Sequence, residues 1–246
     1  MGKLIILSGP SCVGKSPLDK ALRKFHPGLR GGMKQLILYN SRQPRPGEND
    51  GVDYYFRSRE DIMKLREKTN FIVMQVRGDW QALDITQLLK DLRKSDVFYE
   101  GNPIIGKILL THEKLADIEK TSIFLSPLSA SEINRLKSQI SIADLNLLIT
   151  DIMRRKLLRR TRKQKGELSL PDLENIEIRA KSAFQELRSA TLFDHVIPNN
   201  DGEDSENWDA FYFPVGHAGN TLETVASILQ GKETHGSEKW SEDLLA

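Results

Sequence analysis

Four residues near the start of the chain have types and spacing that suit the binding of a phosphate chain. Gly9, Gly14, Lys15 and Ser16 follow the pattern G-x-x-x-x-G-K-[ST] in full. In such a loop, backbone N–H groups wrap a β-phosphate, the lysine neutralises the β- and γ-phosphates, and the hydroxyl holds Mg²⁺. The pattern predicts an ATP site with Ser16 as the Mg²⁺ ligand, and its residues are Gly9, Pro10, Ser11, Cys12, Val13, Gly14, Lys15 and Ser16.

The flanking sequence supplies the elements that such a loop needs. The apolar run "KLIILSG" precedes it and indicates a buried parallel strand, and "PLDKALRKF" follows it with helical spacing. Pro17 falls in the first helical turn, where a proline is tolerated but removes one N–H. We therefore expect nucleotide binding that is weakened and not lost. The alternative is a glycine-rich turn that binds no ligand.

A second phosphate-binding pattern lies in the turn-rich stretch "SRQPRPGENDGVDYYF". Arg42 and Arg45 are three residues apart, and Pro44 and Pro46 bracket the second arginine. Two guanidinium groups can hold a phosphate monoester bidentately, and the prolines lower the entropy cost of presenting one of them. Tyr54 adds a hydroxyl donor. An ordinary charged loop is the alternative.

Together, "SGPSCVGKS", "SRQPRPGENDGVDYYF" and "SRED" resemble the guanylate kinases. That family reads approximately T-R-x-P-R-x-G-E-x-x-G-x-D-Y-x-F at the second place. The resemblance runs from residue 3 to about residue 201 and is looser in its second half, where "NIEIRAKSAFQEL" and "DHVIPNND" match the family's late helix and strand.

The resemblance implies an α/β fold, with a P-loop NTPase parallel-sheet core, helices on both faces, an inserted small β-rich NMP-binding subdomain and a helical lid. We expect the core at residues 1–39 and 96–230, the acceptor subdomain at 40–95, and the lid at 138–178 within the core. Residues 231–246 form the remaining tail, which we expect to be weakly ordered.

The resemblance also implies a reaction, in which the γ-phosphoryl group of ATP passes to a nucleoside monophosphate, above all GMP or dGMP, with Mg²⁺. The implied catalytic residues are Lys15, Arg42, Arg159, Arg162 and Arg179. The implied acceptor residues are Arg42, Arg45, Tyr54 and Glu100, and Asn199 and Asn200 join the phosphate loop in binding ATP.

The base-reading part of that family's site does not carry over. Val73 aligns with a family glutamate that accepts hydrogen bonds from guanine, and a valine cannot accept them. A shift of one or two residues would place Gln75 or Asp79 there instead. Other family residues that touch phosphate or base are replaced by Leu38, Gln81 and Leu83. These changes predict a changed or relaxed acceptor.

Glu100 follows the apolar run Val97-Phe98-Tyr99, so it is expected at the end of a buried strand. Its carboxylate there suits the water shell of the metal or the orientation of the acceptor. A carboxylate satisfied by local N–H groups is the alternative.

The segment 153–165, "MRRKLLRRTRKQK", holds eight Lys or Arg in 13 positions. It has three interpretations: a lid whose arginines, among them Arg159, Arg160 or Arg162, reach the ATP phosphates, a solvated helix face, or a nucleic-acid patch. The resemblance favours the lid, and the absence of interleaved aromatic residues argues against nucleic acid.

Composition limits the class of protein. Of 246 residues, 39% are hydrophobic and 28% charged, as in soluble globular proteins, and no apolar run approaches the ~20 residues that span a bilayer. The net charge of +2 argues neither for nor against nucleic-acid binding. The single cysteine favours a cytoplasmic location. We expect small-molecule nucleotide substrates, no membrane partner, and a monomer or homodimer.

Three functions stay open at this point. The first is a guanylate-kinase-like phosphotransferase. The second is a kinase of a phosphorylated sugar such as ribose bisphosphate, which the arginines allow because they bind phosphate and not base. The third belongs to another class, a catalytically weak binding module, against which the intact Gly14-Lys15-Ser16 argues. A P-loop ATPase acting with RNA or DNA through the basic segment is a further possibility.

Overall fold

The computed structural model describes residues 1–45 and 47–246; Pro46, one of the two prolines expected to stiffen Arg45, lies outside the described residues. The strands are β1 Leu4–Ser8, β2 Lys34–Gln35, β3 Leu38–Asn40, β4 Tyr54–Phe56, β5 Phe71–Val76, β6 Asp79–Asp84, β7 Val97–Gly101, β8 Lys120–Ser126 and β9 His195–Pro198. The helices are α1 Lys15–Phe25, α2 Pro27–Arg30, α3 Arg59–Lys64, α4 Ile85–Leu92, α5 Pro103–Thr111, α6 Ala130–Lys137, α7 Ile142–Lys165, α8 Leu170–Leu187 and α9 Gly216–Leu229.

The larger sheet is parallel throughout, in the order β2-β7-β1-β8-β9. Strand β1 is buried along its whole length, because its side chains point alternately into two hydrophobic clusters. Leu4 and Ile6 pack in one hydrophobic cluster with residues of α4, α5, α7 and α8. Ile5 and Leu7 pack in the other with residues of α1 and α9. The predicted α/β core with helices on both faces is confirmed.

The carboxyl ends of the parallel strands meet at one edge of this sheet, which is where α/β folds bind ligands. Leu7 pairs with Glu100, and Ser8 with Gly101, so the strand-end acid lies beside the start of the phosphate loop. Asn199 follows β9, and its backbone N–H donates to Ser126 O at the end of β8. Parallel pairing alone thus brings together residues that are far apart in sequence.

A second sheet, in the order β4-β3-β6-β5, lies within residues 38–84, where a subdomain was predicted at 40–95. Strands β5 and β6 form an antiparallel hairpin. Its two-residue turn is Arg77-Gly78, and both residues have positive φ, 53° and 94°. This is the backbone that a tight hairpin turn requires, and a glycine adopts it more readily than an arginine.

The segment predicted as a lid, 138–178, contains all of α7 and the first half of α8, which pack against each other. Serine caps begin both helices: Ser141 accepts from Asp144 N, and Ser169 forms a capping box with Asp172. Among the described residues, no helix is long and apolar enough to cross a membrane.

The expectation of a weakly ordered tail at 231–246 is wrong. Glu238 and Val196 form an antiparallel bridge with hydrogen bonds in both directions, so the tail pairs with the outer strand of the larger sheet. Trp240, Leu244 and Leu245 are buried in the main hydrophobic cluster. The burial of these large apolar side chains holds the segment in place.

Candidate active site

Lys15 opens helix α1 and is 7% exposed. Its ammonium group donates to two carbonyl oxygens of its own loop, Gly9 O at 2.9 Å and Pro10 O at 2.6 Å. Burial lowers the pKa of Lys15, and the negative charges of Glu203 and Glu100 partly oppose this shift. A ligand phosphate could replace these carbonyls as the acceptor of the lysine's hydrogen bonds.

The glycine before this lysine has no room for a side chain. Gly14 has φ 102°, and a Cβ there would lie 2.5 Å from Asn199 Nδ2 and 2.7 Å from Asp201 O. Asn199 is fully buried and its Nδ2 donates to Val13 O at 2.8 Å. The segment after β9 therefore packs against the phosphate loop, and a larger residue at position 14 would push the two apart.

Ser16 and Glu100 form the candidate Mg²⁺ site. Ser16 Oγ donates to Glu100 Oε1 at 2.8 Å. Burial raises the pKa of Glu100 to about 6, against the opposing effects of Lys15 and of the Ser16 hydrogen bond. A hydroxyl and a carboxylate are hard oxygen donors that fit Mg²⁺, which prefers to share its coordination with substrate phosphates and water. The part of the chain that the structure describes contains no group of three or more His, Cys, Asp or Glu able to hold a metal.

The acceptor arginines are organised by one carboxylate, Glu48. Its two oxygens accept from Arg42 Nη1 and Nη2 at 2.6 and 2.7 Å, and Oε2 also accepts from the backbone N of Arg45 at 2.8 Å. The Arg42 guanidinium lies over the rings of Tyr54 and Phe56, 5.1 and 5.4 Å from their centroids. Arg42 is thus fixed in position, while the Arg45 side chain has no acidic partner among residues 1–45 and 47–246.

Two further arginines, Arg160 of α7 and Arg179 of α8, line the same cavity as Lys15 and Arg42. Neither makes an ion pair with any described residue. Burial, and then the charges of Arg45, Arg77, Arg160 and Arg42, lowers the pKa of Arg179 well below its usual range. Desolvation, and then Arg42, lowers the pKa of Arg45 to about 10. Such an excess of unpaired positive charge around one cavity suits an anionic ligand.

One cavity of about 630 Å³ is lined by residues from both groups that the sequence assigned, the donor side and the acceptor side. Lys15 and Ser16 line it from the phosphate loop, and Arg42, Arg45 and Tyr54 line it from the second sheet. This volume lies within the range of small-molecule sites.

The structure brings a different arginine of α7 to the cavity from the two that the resemblance implied as catalytic. Arg159 is exposed and pairs with Asp204 at 2.6 Å, and Arg162 is exposed outside the cavity. Arg160 lines the cavity instead. Successive helical residues differ by about 100° in direction, so a segment with arginines at neighbouring positions does not reveal which of them faces inward.

The structure places Asn199 and Asn200 outside the cavity lining. The Asn199 carboxamide is fully occupied, since Nδ2 donates to Val13 O and Asp201 O and Oδ1 accepts from Asp201 N. It supports the phosphate loop and does not line the cavity. Asn200 is exposed, and its carbonyl accepts from Lys156 Nζ at 2.6 Å.

Val73, which the sequence alignment placed at the base-reading position, points away from the cavity. It pairs with Ala82, and Ala82 pairs with Tyr39, so these three share one face of the second sheet. Gln81 and Asn40 line the cavity on the other face. Ile72, which pairs with Leu83, lies on the same face of the sheet as Gln81, but neither Ile72 nor Leu83 lines the cavity.

Sequence reasoning missed Arg77, which joins the acceptor sheet to the phosphate loop. Its Nε and Nη2 donate to the two oxygens of Glu186 at 2.7 and 2.6 Å, and Nη1 donates to Ser11 Oγ at 2.7 Å. Glu186, of α8, is 5% exposed. The only local sign in the sequence is the Arg-Gly pair at a hairpin turn, because the acid partner lies 109 residues away.

Comparison with known proteins gives one consistent result. Residues 1–81 match the family model described as guanylate kinase. A guanylate kinase of Caldanaerobacter subterraneus is 30% identical over 207 residues, 81% of this chain and 81% of the relative. A guanylate kinase of Synechococcus is 29% identical over 218 residues, 87% of this chain and 83% of the relative.

Among solved structures, a guanylate kinase from Anaplasma phagocytophilum has a similar fold, with a TM-score of 0.51 and 19% sequence identity. The match covers 96% of this chain and 89% of that chain. At this identity the likeness concerns the fold alone.

The Arg77–Glu186 ion pair generates a stability prediction. Arg77→Ala leaves a buried carboxylate without its counter-charge, so we expect the free energy of unfolding to fall by about 3–5 kcal/mol. Urea unfolding followed by tryptophan fluorescence measures it. The control is Arg57→Ala, which removes an exposed pair with Asp50 and should cost about 1 kcal/mol or less. Equal costs for the two variants would contradict a stabilising role for Arg77.

Burial of Glu100 generates a prediction for pH dependence. Because the folded state raises its pKa from 4.5 to about 6, the folded state binds the proton more tightly than the unfolded chain does. The contribution of Glu100 to stability is therefore full below pH 4.5 and is lost as the pH rises to about 6, by about 2 kcal/mol.

Glu100→Gln should remove this loss. We expect the variant and the parent to differ little at pH 4 and the variant to be more stable by about 2 kcal/mol at pH 7. Urea titrations at both pH values measure the difference, and Glu113→Gln, at an exposed carboxylate, is the matched control. A variant that is less stable than the parent at pH 7 would contradict the assignment of a buried, destabilised carboxylate.

Proposed function

We propose, from the premise that this chain belongs to the guanylate kinase family, that it transfers the γ-phosphoryl group of ATP to GMP. The relatives that establish the family are named guanylate kinases, which favours this function over the sugar kinase and the binding module. The cytoplasmic location and the monomer or homodimer state stay predictions.

The observation that carries the proposal is the shared cavity. A phosphate loop with a complete lysine and serine lines it together with an arginine pair on the loop that follows β3 of a separate sheet. Direct transfer requires donor and acceptor phosphates to lie in one enclosed space, with reacting atoms about 3–3.5 Å apart. A site for ATP alone would not account for Arg42 and Arg45 in the lining of the same cavity.

On the donor side, the loop amides and Lys15 bind the β- and γ-phosphates, for which Lys15 exchanges its contacts with Gly9 O and Pro10 O. Ser16 and Glu100 would hold Mg²⁺ or its water shell. When bound with ATP, the metal supplies neutralising charge and orientation for the phosphates. Asn199 keeps the loop in shape through its bond to Val13 O.

On the acceptor side, Arg42 and Arg45 bind the monophosphate, and Tyr54 adds a donor from the cavity wall. Burial raises the pKa of Tyr54, which keeps its hydroxyl protonated. Arg160 and Arg179 have no acidic partner among the described residues, so they are available to the charge that develops on the transferred group. Positioned cations of this kind supply most of the catalysis in phosphoryl transfer.

A coupled assay of ADP release tests the activity. ATP with Mg²⁺ and GMP should give sustained ADP formation, with little from ATP alone. ATP binding without any acceleration by GMP would overturn the proposed kinase activity.

Two variants should separate the donor and acceptor roles. Lys15→Ala should lower kcat by about 10²–10³-fold, since it removes a cation from the reacting phosphates. Arg45→Ala should raise the KM for the acceptor by about tenfold or more and leave the KM for ATP unchanged, because it removes a charge-assisted hydrogen bond. Arg57→Ala, at a residue that follows β4 and lies outside the cavity, is the control for both. If Arg45→Ala raised the KM for ATP alone, the assignment of donor and acceptor sides would be reversed.

A further inference from the structure

The basic segment of α7, residues 153–165, carries more positive charge than the cavity uses. It holds eight Lys or Arg, all within the described part of the chain, and Arg160 alone among them lines the cavity. Lys156 lies one helical turn before Arg160 on the same face of α7, and Arg159 is its immediate neighbour. A contact that fixes Lys156 and Arg159 therefore also fixes the direction in which Arg160 leaves the helix.

One carboxylate, that of Asp204, binds both of these cations. Its Oδ2 accepts from Arg159 Nε at 2.9 Å and from Nη2 at 2.6 Å, and its Oδ1 accepts from Lys156 Nζ at 3.5 Å. The Asp204 side chain is 5% exposed, so its charge is poorly hydrated and depends on these partners. Lys156 Nζ also donates to Asn200 O at 2.6 Å, which adds a second link between α7 and the segment after β9.

The turn that carries Asp204 is itself packed on the phosphate loop. Ser205 N donates to Gly202 O at 3.0 Å and closes the turn. No side chain fits at Gly202, because a Cβ there would collide with Cys12 O of the phosphate loop. Cys12 Sγ lies 3.9 Å from Asp204 Oδ1. Asp204 therefore connects α7 to the loop that binds the donor phosphates.

Arg160 lies close to the same loop and has no contact that fixes its own guanidinium group. Burial and the charge of Glu203 raise the pKa of the Cys12 thiol, and the positive charge of Arg160 opposes this shift. The Nε of Arg160 is buried without a hydrogen-bond partner among the described residues. Since an arginine side chain has a large rotamer entropy, the place of this one depends on where the backbone of α7 is held.

We infer that Asp204 is a positioning residue for phosphoryl transfer, which binds Lys156 and Arg159, holds α7 against the phosphate loop and so directs Arg160 at the transferred group. This inference rests on the proposed kinase function. It gives Arg159 a role other than contact with phosphate, since its guanidinium group is bound to Asp204. A displacement of about 1 Å in a group that acts on the reacting atoms can lower the rate by about 10²-fold.

A double-mutant cycle between Asp204 and Arg160 tests this role, with GMP-dependent ADP formation by the full chain and ATP-Mg²⁺ as the readout. Asp204→Asn should lower kcat by about 10–10²-fold, and Arg160→Ala by about 10²–10³-fold. Because Asp204 acts through Arg160, the double variant should differ from Arg160→Ala by less than about twofold. A merely structural role would lower kcat by the same factor in both backgrounds, and that result would overturn the inference, as would an Arg160→Ala variant with the kcat of the parent.

Arg159→Ala covers the case in which Asp204→Asn does not fold. The Arg159 side chain is 59% exposed, so its truncation leaves the core intact. Because Lys156 still binds Asp204, kcat should fall by only about two- to fivefold, and this loss should vanish in the Arg160→Ala background. Independent losses for Arg159→Ala and Arg160→Ala would show that Arg159 acts on the phosphates by itself and would overturn the inference.

Asp151→Asn is the matched control. Asp151 also binds two arginines of α7, Arg154 and Arg155, but it does so at a more exposed site outside the cavity. Its kcat should stay within about twofold of the parent. A loss as large as that of Asp204→Asn would make the effect a general one of ion pairs on α7 and would overturn the specific role of Asp204.

Hydrogen exchange of the backbone amides of α7 separates a failure of this inference from a failure of the proposed function. In Asp204→Asn the amides of residues 156–162 should exchange about tenfold faster than in the parent, because the helix loses two charge-assisted contacts there, and in Asp151→Asn they should not. Unchanged exchange in Asp204→Asn would overturn the anchoring of α7 itself. If the exchange changes as expected while the parent forms no ADP with GMP, the kinase function fails and the catalytic part of the inference fails with it.

Discussion

Repulsion among positive charges around one cavity is the constraint on which the arrangement of this molecule depends. The groups that line it include Lys15, Arg42, Arg45, Arg77, Arg160 and Arg179. After burial, the charges of the other four arginines are what lower the pKa of Arg179. Charges a few Å apart interact strongly in a partly desolvated site, so the rest of the fold must hold together groups that would separate in water.

The acids near the cavity neutralise some of these cations and leave others free. Glu48 binds Arg42 through both oxygens, and Glu186 binds Arg77 in the same way, so these two arginines have fixed positions. Arg45, Arg160 and Arg179 have no acidic partner within residues 1–45 and 47–246. A bound anion relieves the repulsion among the free group, and a ligand that binds only the folded state also stabilises it.

The sequence predicts the parts of the site that are local in the chain. The phosphate loop and the Arg42–Tyr54 stretch are contiguous, so a motif of a few residues specifies each of them. A short motif does not show in which direction a side chain points, nor which residue far along the chain is its partner. Arg160 could not be distinguished from Arg159 and Arg162 without the phase of α7, and the direction of Val73, away from the cavity, could not be predicted without the register of β5. The same holds for the Arg77–Glu186 pair, whose members are 109 residues apart, and for the tail that Trp240 anchors.

The hairpin turn at Arg77 shows how the second sheet and the phosphate loop come to act as one site. An arginine with φ 53° is in a backbone conformation that costs a non-glycine residue energy, and it persists only where its surroundings stabilise it. Here the compensation comes from the two hydrogen bonds to Glu186 and the one to Ser11. Ser11 belongs to the donor loop and Arg77 to the acceptor sheet, so a movement of that sheet away from the loop would break a buried hydrogen bond. Since transfer tolerates little error in the separation of the two phosphates, a contact that fixes one binding surface against the other serves the chemistry as directly as the groups that touch the substrates.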